Sequence, residues 1–118
     1  MRFRRFTISI IVALGFPTST ALAHAIVVSA MPGPNQLVRG PDIPVALRFN
    51  SRIDAKRSRL ILVAPGGEQL PLVISGPSTP DALTSEAKGM KSGSYILRWQ
   101  VLASDGHITR GEVQFRVQ

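Results

Sequence analysis

The fold is decided near the carboxyl terminus, where residues 93–117 read GSYILRWQVLASDGHITRGEVQFRV. Apolar residues occupy alternate positions over 95–101 and again over 113–117, with mostly charged or polar residues between them. Because successive side chains of a β-strand point to opposite faces, this period of two predicts two strands with one buried face each. Trp99 falls on the apolar face, so we expect it in the core. The stretch between the strands becomes a loop, and the segment as a whole predicts a β-hairpin.

The chain upstream of this hairpin carries five further strand patterns. They cover residues 25–30, 45–50, 59–63, 70–74 and 82–87. Turn signals rich in proline and glycine separate them, and 9 prolines with 10 glycines argue against long helices. Seven short strands in so small a domain predict an all-β fold, a Greek-key β-sandwich or a small barrel.

The first 23 residues have the layout of a secretory signal peptide. Three arginines within residues 1–5 precede an apolar run over 6–16, and Ala21-Leu22-Ala23 places small residues where a signal peptidase cleaves. The apolar run is too short to cross a bilayer of roughly 30 Å as a helix. The sequence therefore predicts a signal peptide over residues 1–23 and one exported domain over residues 24–118.

The composition excludes several classes of protein. Without cysteine, the chain has no disulfide, zinc finger, iron–sulfur cluster or catalytic thiol. The formal net charge is +7, but three of the 14 basic residues belong to the predicted signal peptide. The only basic cluster, Arg52–Arg59, has no interleaved aromatic residue, so we expect a solvated face rather than a nucleic-acid surface, although it could contact lipid headgroups or an acidic partner. No nucleophile elbow, paired carboxylates or phosphate loop is present, so we expect neither catalysis nor a small-molecule substrate.

The two histidines of the chain, His24 and His107, carry the most informative chemistry. Cleavage after residue 23 makes His24 the first residue, where its α-amine and ring Nδ1 can chelate one metal ion. In the predicted loop, Gly106 permits a tight turn that aims the Asp105 carboxylate and the His107 ring at one point. Three nitrogens and one oxygen in a tetragonal arrangement favour Cu(II), with Ni(II) second. The sequence therefore predicts a Cu(II) site formed by His24, Asp105 and His107.

Each part of this site also has a simpler interpretation. An Asp-Gly pair in a hairpin loop can serve only as a turn, and His107 can be an ordinary surface or capping histidine. Ala23-His24-Ala25 also satisfies the small-x-small rule for cleavage, and cleavage after Ala25 would remove His24. The mature amino terminus therefore decides whether the predicted site exists.

Short motifs spread over the mature chain carry a family resemblance. They are His24-Ala25, Ser29-Ala30-Met31-Pro32-Gly33, VALRFN at 45–50, GSYILRW at 93–99, and Ser104-Asp105-Gly106-His107 followed by Gly111 and Phe115. In this combination the sequence resembles the CopC copper-resistance proteins. The resemblance implies a seven-stranded Greek-key barrel or sandwich, Ig-like or cupredoxin-like, in the bacterial periplasm. It implies Cu(II) bound by the amine and ring of His24 with Asp105 and His107, and a role in copper homeostasis with delivery of copper to a CopD-like inner-membrane protein. We also expect the protein to be a monomer.

The sequence departs from the family pattern in two ways. Some members carry a Met-rich Cu(I) site, whereas the mature chain has only Met31 and Met90, far apart in sequence, so we expect no such site here. Members also commonly have an acidic residue where this chain has Asn50-Ser51-Arg52. If that acid supports the metal ligands, its absence alters affinity or geometry.

Two other classes of function stay open beside a copper carrier. One is an oxidative enzyme with a histidine-brace copper centre, and the other is a metal-free Ig-like interaction module. An enzyme needs an open coordination position and usually an exposed aromatic platform, whereas Tyr95 and Trp99 lie on the predicted core face and Asp105 would fill a coordination position. The predicted metal ligands and the positions of the aromatic residues therefore favour a copper carrier over an oxidative enzyme.

Overall fold

The structure, a computed structural model, describes Gly15 and residues 25–75 and 79–118. The described residues form eight β-strands and the turns between them, with no helix and hence no helical membrane span. The strands are β1 (Val27–Met31), β2 (Leu37–Val38), β3 (Ile43–Phe49), β4 (Ile53–Val63), β5 (Gln69–Leu72), β6 (Ala82–Ala87), β7 (Gly93–Ala103) and β8 (Ile108–Val117). The predicted signal peptide, apart from Gly15, and the predicted ligand His24 lie outside the described residues.

The strands form two sheets, which confirms the all-β sandwich predicted from the sequence. One sheet has the order β1-β3-β6 and the other β2-β8-β7-β4-β5. Every pairing is antiparallel except that of β2, a two-residue strand that runs parallel to β8 and lacks the alternating pattern that predicted the others. The longest pairing joins β7 to β8 over ten residue pairs, from Gly93 with Val117 to Leu102 with Ile108. The hairpin pattern read from the sequence is therefore the central pairing of the larger sheet.

The core lies between the sheets and is built from the period-two positions. Buried side chains alternate along β3, β4, β6, β7 and β8, and the largest of them are Phe49, Phe115, Ile43, Leu47, Leu60, Leu62, Leu83 and Leu97. The rings of Tyr95 and Phe115 stack with centroids 5.8 Å apart. Trp99 packs against this core but stays partly exposed, because the residue paired with it, Gly111, has no side chain to cover it.

Strand β4 begins six residues earlier than its sequence pattern predicts, and a bulge explains the difference. Asp54 pairs with Leu102 and Arg59 with Gln100, so four residues of β4 oppose the single residue Val101. This insertion shifts the alternation of apolar residues, which hides the first half of the strand from a search for period two. The extension places the first residue of β4, Ile53, opposite Ala103, beside the loop that carries Asp105 and His107.

Candidate functional site

The loop that joins β7 to β8 is a tight turn closed by backbone hydrogen bonds. Ala103 donates its N–H to the carbonyl of His107 at 2.8 Å, and Gly106 donates to the carbonyl of Ala103 at 2.9 Å. Gly106 has φ of 88°, a conformation that costs an L-residue with a Cβ conformational energy. The glycine therefore allows the turn, as the sequence predicts, and places residues 105 and 107 on either side of its bend.

Asp105 and His107 contact each other directly across this bend. Asp105 Oδ1 accepts the backbone N–H of His107 at 3.0 Å, and Asp105 Oδ2 lies 3.0 Å from His107 Nδ1. The side chains keep 31% and 48% of their exposure, so both are open to an ion from solvent. The structure thus brings together the two predicted ligands that it describes.

The contact with His107 also fixes the charge of the Asp105 carboxyl. The backbone N–H of His107 stabilises the ionised carboxylate most strongly and the His107 ring adds to this effect, so the pKa of Asp105 is lowered from its ordinary value. Asp105 is therefore an anionic oxygen donor throughout the neutral and mildly acidic range, as a cation ligand must be.

The crossing from β3 to β4 connects this loop to the beginning of β1. Asn50 accepts the N–H of Ile26 through its side-chain Oδ1 at 2.8 Å and donates its own N–H to the carbonyl of Ile26 at 2.9 Å. Two residues further on, the carbonyl of Arg52 accepts the N–H of Ser104 at 3.1 Å. The first residues described after position 24 and the 104–107 loop therefore lie at the same end of the sandwich.

Asn50 has a structural role that the sequence pattern does not predict. The pattern places it at the end of β3, whereas its side chain accepts a hydrogen bond from Ile26 before β1, and the neighbouring Ala25 is buried. A signal was present, since an asparagine directly after an alternating strand is a common residue for hydrogen bonds to neighbouring backbone. The sequence pattern could not show that the backbone bound by the Asn50 side chain is that of Ile26.

The β4 bulge lies next to this end and is held by polar contacts. Asp54 Oδ1 accepts the N–H groups of Lys56 and Arg57 at 3.1 and 3.3 Å. The buried hydroxyl of Ser58 donates to the carbonyl of Asp54 at 2.6 Å and accepts the N–H of Leu102 at 3.3 Å. The basic cluster that the sequence predicts as a solvated face is exposed at Lys56 and Arg57 by this bulge.

Among residues 25–75 and 79–118, no group of three or more histidine or acidic side chains is placed to hold a metal ion. The described part of the candidate site thus consists of the Asp105–His107 pair. Of the two methionines among residues 25–75 and 79–118, Met90 is buried in the core and Met31 is exposed.

The fold and the loop define an Ig-like, two-sheet β-sandwich with an exposed Asp–His pair at one end. Comparison with protein families matches the CopC domain over residues 27–118. The chain therefore belongs to the CopC family.

Individual relatives agree with this assignment. The chain is 27% identical to copper resistance protein C of Xanthomonas campestris pv. juglandis over 95% of this chain and 94% of that protein. It is 26% identical to protein YobA of Escherichia coli K12 over 86% of this chain and 84% of YobA. Among solved structures, CopC from Methylosinus trichosporium OB3b superposes with a TM-score of 0.73 and 31% identity, covering 80% of this chain and 94% of that one. PcoC, a methionine-rich copper resistance protein from Escherichia coli, has a TM-score of 0.67 with 22% identity, covering 81% of this chain and all of PcoC, and supports the fold.

Proposed function

We propose that this chain is a periplasmic Cu(II) carrier that serves copper resistance and homeostasis. In this proposal residues 1–23 direct export, cleavage exposes His24, and the domain 24–118 acts as a monomer. One cupric ion, the cargo, is held by the α-amine and ring of His24 together with Asp105 and His107. Membership of the CopC family supports the proposal, as does similarity to a relative named for copper resistance.

The observation that carries the proposal is the segment from Asn50 to Arg52, which is bonded to Ile26 at one side and to Ser104 at the other. The path from the backbone of Ile26 to that of Ser104 runs through one hydrogen bond, the three residues 50–52 and a second hydrogen bond. Even when fully extended, this path spans only on the order of 15 Å. A residue two positions before Ile26 can extend up to about 7 Å further. The reach of the chain therefore permits a terminal histidine to share an ion with the loop.

The donor atoms of the loop suit a cupric ion. An imidazole that donates its Nδ1–H to a carboxylate carries its lone pair on Nε2, which is a good Cu(II) ligand. The carboxylate keeps lone pairs on both oxygens after its two contacts with His107, so it can add one oxygen donor. Together with the two nitrogens of a terminal histidine, these donors make the nitrogen-rich set that Cu(II) prefers.

The exposure of the pair supports a carrier rather than an enzyme. Both side chains are partly open to solvent, so an ion can be exchanged with a partner such as a CopD-like inner-membrane protein. The ring of Tyr95 is buried against Phe115, and it offers no surface platform for a polymeric substrate. A carrier needs an accessible site, and the partial exposure of the Asp105 and His107 side chains supports this role.

The test is Cu(II) titration of the exported protein, followed by calorimetry and by EPR, after intact mass has established its first residue. We expect one equivalent of Cu(II) per chain and a nitrogen-rich tetragonal spectrum. His107→Ala and Asp105→Asn should each weaken binding by about tenfold or more and change the spectrum, because each removes a donor. A protein extended by one residue before His24 should lose orders of magnitude in affinity, because the terminal chelate ring is broken.

Asp42→Asn is the matched control for Asp105→Asn. Asp42 accepts the N–H of Gly89 at the opposite end of β3, a bond that an asparagine oxygen can retain, so Cu(II) binding should not change. A mature protein that begins after His24, or one that takes up no stoichiometric Cu(II), would overturn the proposal. The metal-free Ig-like interaction module would then be the remaining hypothesis. Reductant-dependent oxygen consumption by the copper form would instead indicate an oxidative enzyme.

A further inference from the structure

The outer face of the larger sheet carries a basic recess that the copper site does not use. The recess has a volume of about 410 Å³ and lies where β4, β7 and β8 run side by side. Three arginines surround it, Arg59, Arg98 and Arg110, and Glu112 is its single acidic residue. It is therefore a local concentration of positive charge on an otherwise mixed surface.

The strand register explains how the arginines come together. Arg59 and Arg110 are the two cross-strand neighbours of Gln100, and cross-strand neighbours share a face of the sheet. Arg98 lies in the adjacent row between Ile61 and Glu112. Each arginine is exposed and lies between residues that are buried or partly buried, so the three side chains project away from the core.

Two of the guanidinium groups are already oriented by neighbours. Arg98 Nε lies 3.1 Å from Glu112 Oε2, and Arg110 Nε donates to Gln100 Oε1 at 3.1 Å. Each contact uses the Nε–H and leaves the terminal Nη groups to bind carboxylates. Since Glu112 neutralises Arg98 alone, Arg59 and Arg110 have no carboxylate partner among residues 25–75 and 79–118.

From charge complementarity we infer that this recess docks an acidic peptide segment of a partner protein. Carboxylates of the segment bind Arg59 and Arg110, and an apolar side chain between them packs on Ile61 in the lining. A flat bilayer surface does not fill a recess, whereas a side chain that projects from a peptide can enter it and pack on Ile61. The row of Gln100 lies two residue pairs from the end of the hairpin ladder, about 7 Å along the strands, so a docked segment would sit near the 104–107 loop.

The test is fluorescence-anisotropy binding of a labelled pentapeptide in which four glutamates flank a central leucine, at fixed ionic strength. The double variant Arg59→Gln/Arg110→Gln should weaken binding by about a hundredfold, since each charged hydrogen-bonding partner contributes roughly tenfold. The matched control is Arg39→Gln/Arg48→Gln, which removes the same charge from exposed positions away from the recess and should weaken binding less than about threefold. Replacement of the peptide's central leucine by serine should weaken its binding to the unmodified protein. It should not weaken binding to the Ile61→Ala variant, because that variant has already lost the side chain on which the leucine packs.

Three outcomes would overturn the inference. They are failure of the peptide to bind, equal losses in the two double variants, and binding to phosphatidylglycerol vesicles without binding to the peptide. Cu(II) titration of the same preparations separates this inference from the proposed function. Both double variants retain residues 24, 105 and 107, so copper uptake should be unchanged. Absence of copper uptake in every preparation would count against the carrier and not against the recess.

Discussion

The Nδ1 atom of His107 lies 3.0 Å from Oδ2 of Asp105, and the other oxygen of that carboxylate accepts the backbone N–H of His107 at 3.0 Å. The two residues are separated only by Gly106, so the turn itself brings the carboxylate and the imidazole into contact. Such preorganisation lowers the cost of bringing ligands together when an ion binds. The tertiary fold then supplies what the turn lacks, namely proximity to the beginning of β1.

Gly106→Ala should disturb the turn and weaken Cu(II) binding. Nothing lies within 4 Å of the added Cβ, so the effect comes from φ of 88°, which costs a residue with a Cβ about 1 kcal/mol. We expect roughly a tenfold loss of Cu(II) affinity as the loop relaxes and the Asp105–His107 contact lengthens. Gly106→Asn should recover part of the affinity because asparagine tolerates positive φ. Calorimetric titration of both variants with Cu(II) checks this prediction. Equal Cu(II) affinities of the alanine variant and the unmodified protein would contradict it.

Cu(II) binding should weaken as the pH falls from about 7 to 5, and the loss should come from the nitrogen ligands. Protons compete with the metal for imidazole and for a terminal amine in this range. Asp105 does not contribute to the loss, because its lowered pKa keeps the carboxylate ionised. Any stabilisation from Asp105 is present above its unfolded-state pKa and is lost only as the pH falls through its lower folded-state pKa.

Carbon-detected NMR titration of the Asp105 carboxyl measures its pKa directly. The value should lie below that of an ordinary aspartate and should rise only in part in His107→Ala. The largest cause of the shift is the backbone N–H of residue 107, which the alanine variant keeps. An Asp105 pKa in the ordinary range, or equal Cu(II) affinity at pH 7 and pH 5, would refute this account.

Gly111→Ala should destabilise the domain. A Cβ at this position would lie 2.6 Å from Cε2 and 2.8 Å from Nε1 of Trp99, so the indole must move. Overpacking of this kind costs about 1–3 kcal/mol. Gly66→Ala is the control, because its added Cβ meets nothing within 4 Å. Urea denaturation compares the two variants, and equal free energies of unfolding would show that the indole relaxes without cost.

Ser58→Ala should destabilise the β4 bulge. The buried hydroxyl donates to Asp54 and accepts from Leu102, so its removal leaves the Leu102 N–H and the Asp54 carbonyl without these partners. A loss of about 1–3 kcal/mol is expected for buried polar groups left unsatisfied. Hydrogen exchange of the Leu102 amide should accelerate at the same time. The exposed Ser94→Ala on β7 is the control, and a Ser58 variant as stable as this control would contradict the prediction.

The alternating pattern of the hairpin segment was enough to predict an all-β fold, because a period of two is a local property of the chain. It predicted β7, β8 and the loop between them, and the loop residues Asp105 and His107 lie in contact across the turn at Gly106. Strand β2 and the first half of β4 had no such pattern. The first is only two residues long, and the second is interrupted by a bulge that reverses the alternation.

By itself, the sequence determined the all-β class, the turn at Gly106 and the donor atoms that the loop side chains offer, since each depends on neighbouring residues and on intrinsic donor properties. Only the tertiary structure decided that Asn50 clamps the start of β1 while Arg52 holds the 104–107 loop, and that Arg59 and Arg110 flank one glutamine. These relationships join residues far apart in the chain. They are fixed by sheet order and strand register, which arise from packing of the whole core and not from any local pattern.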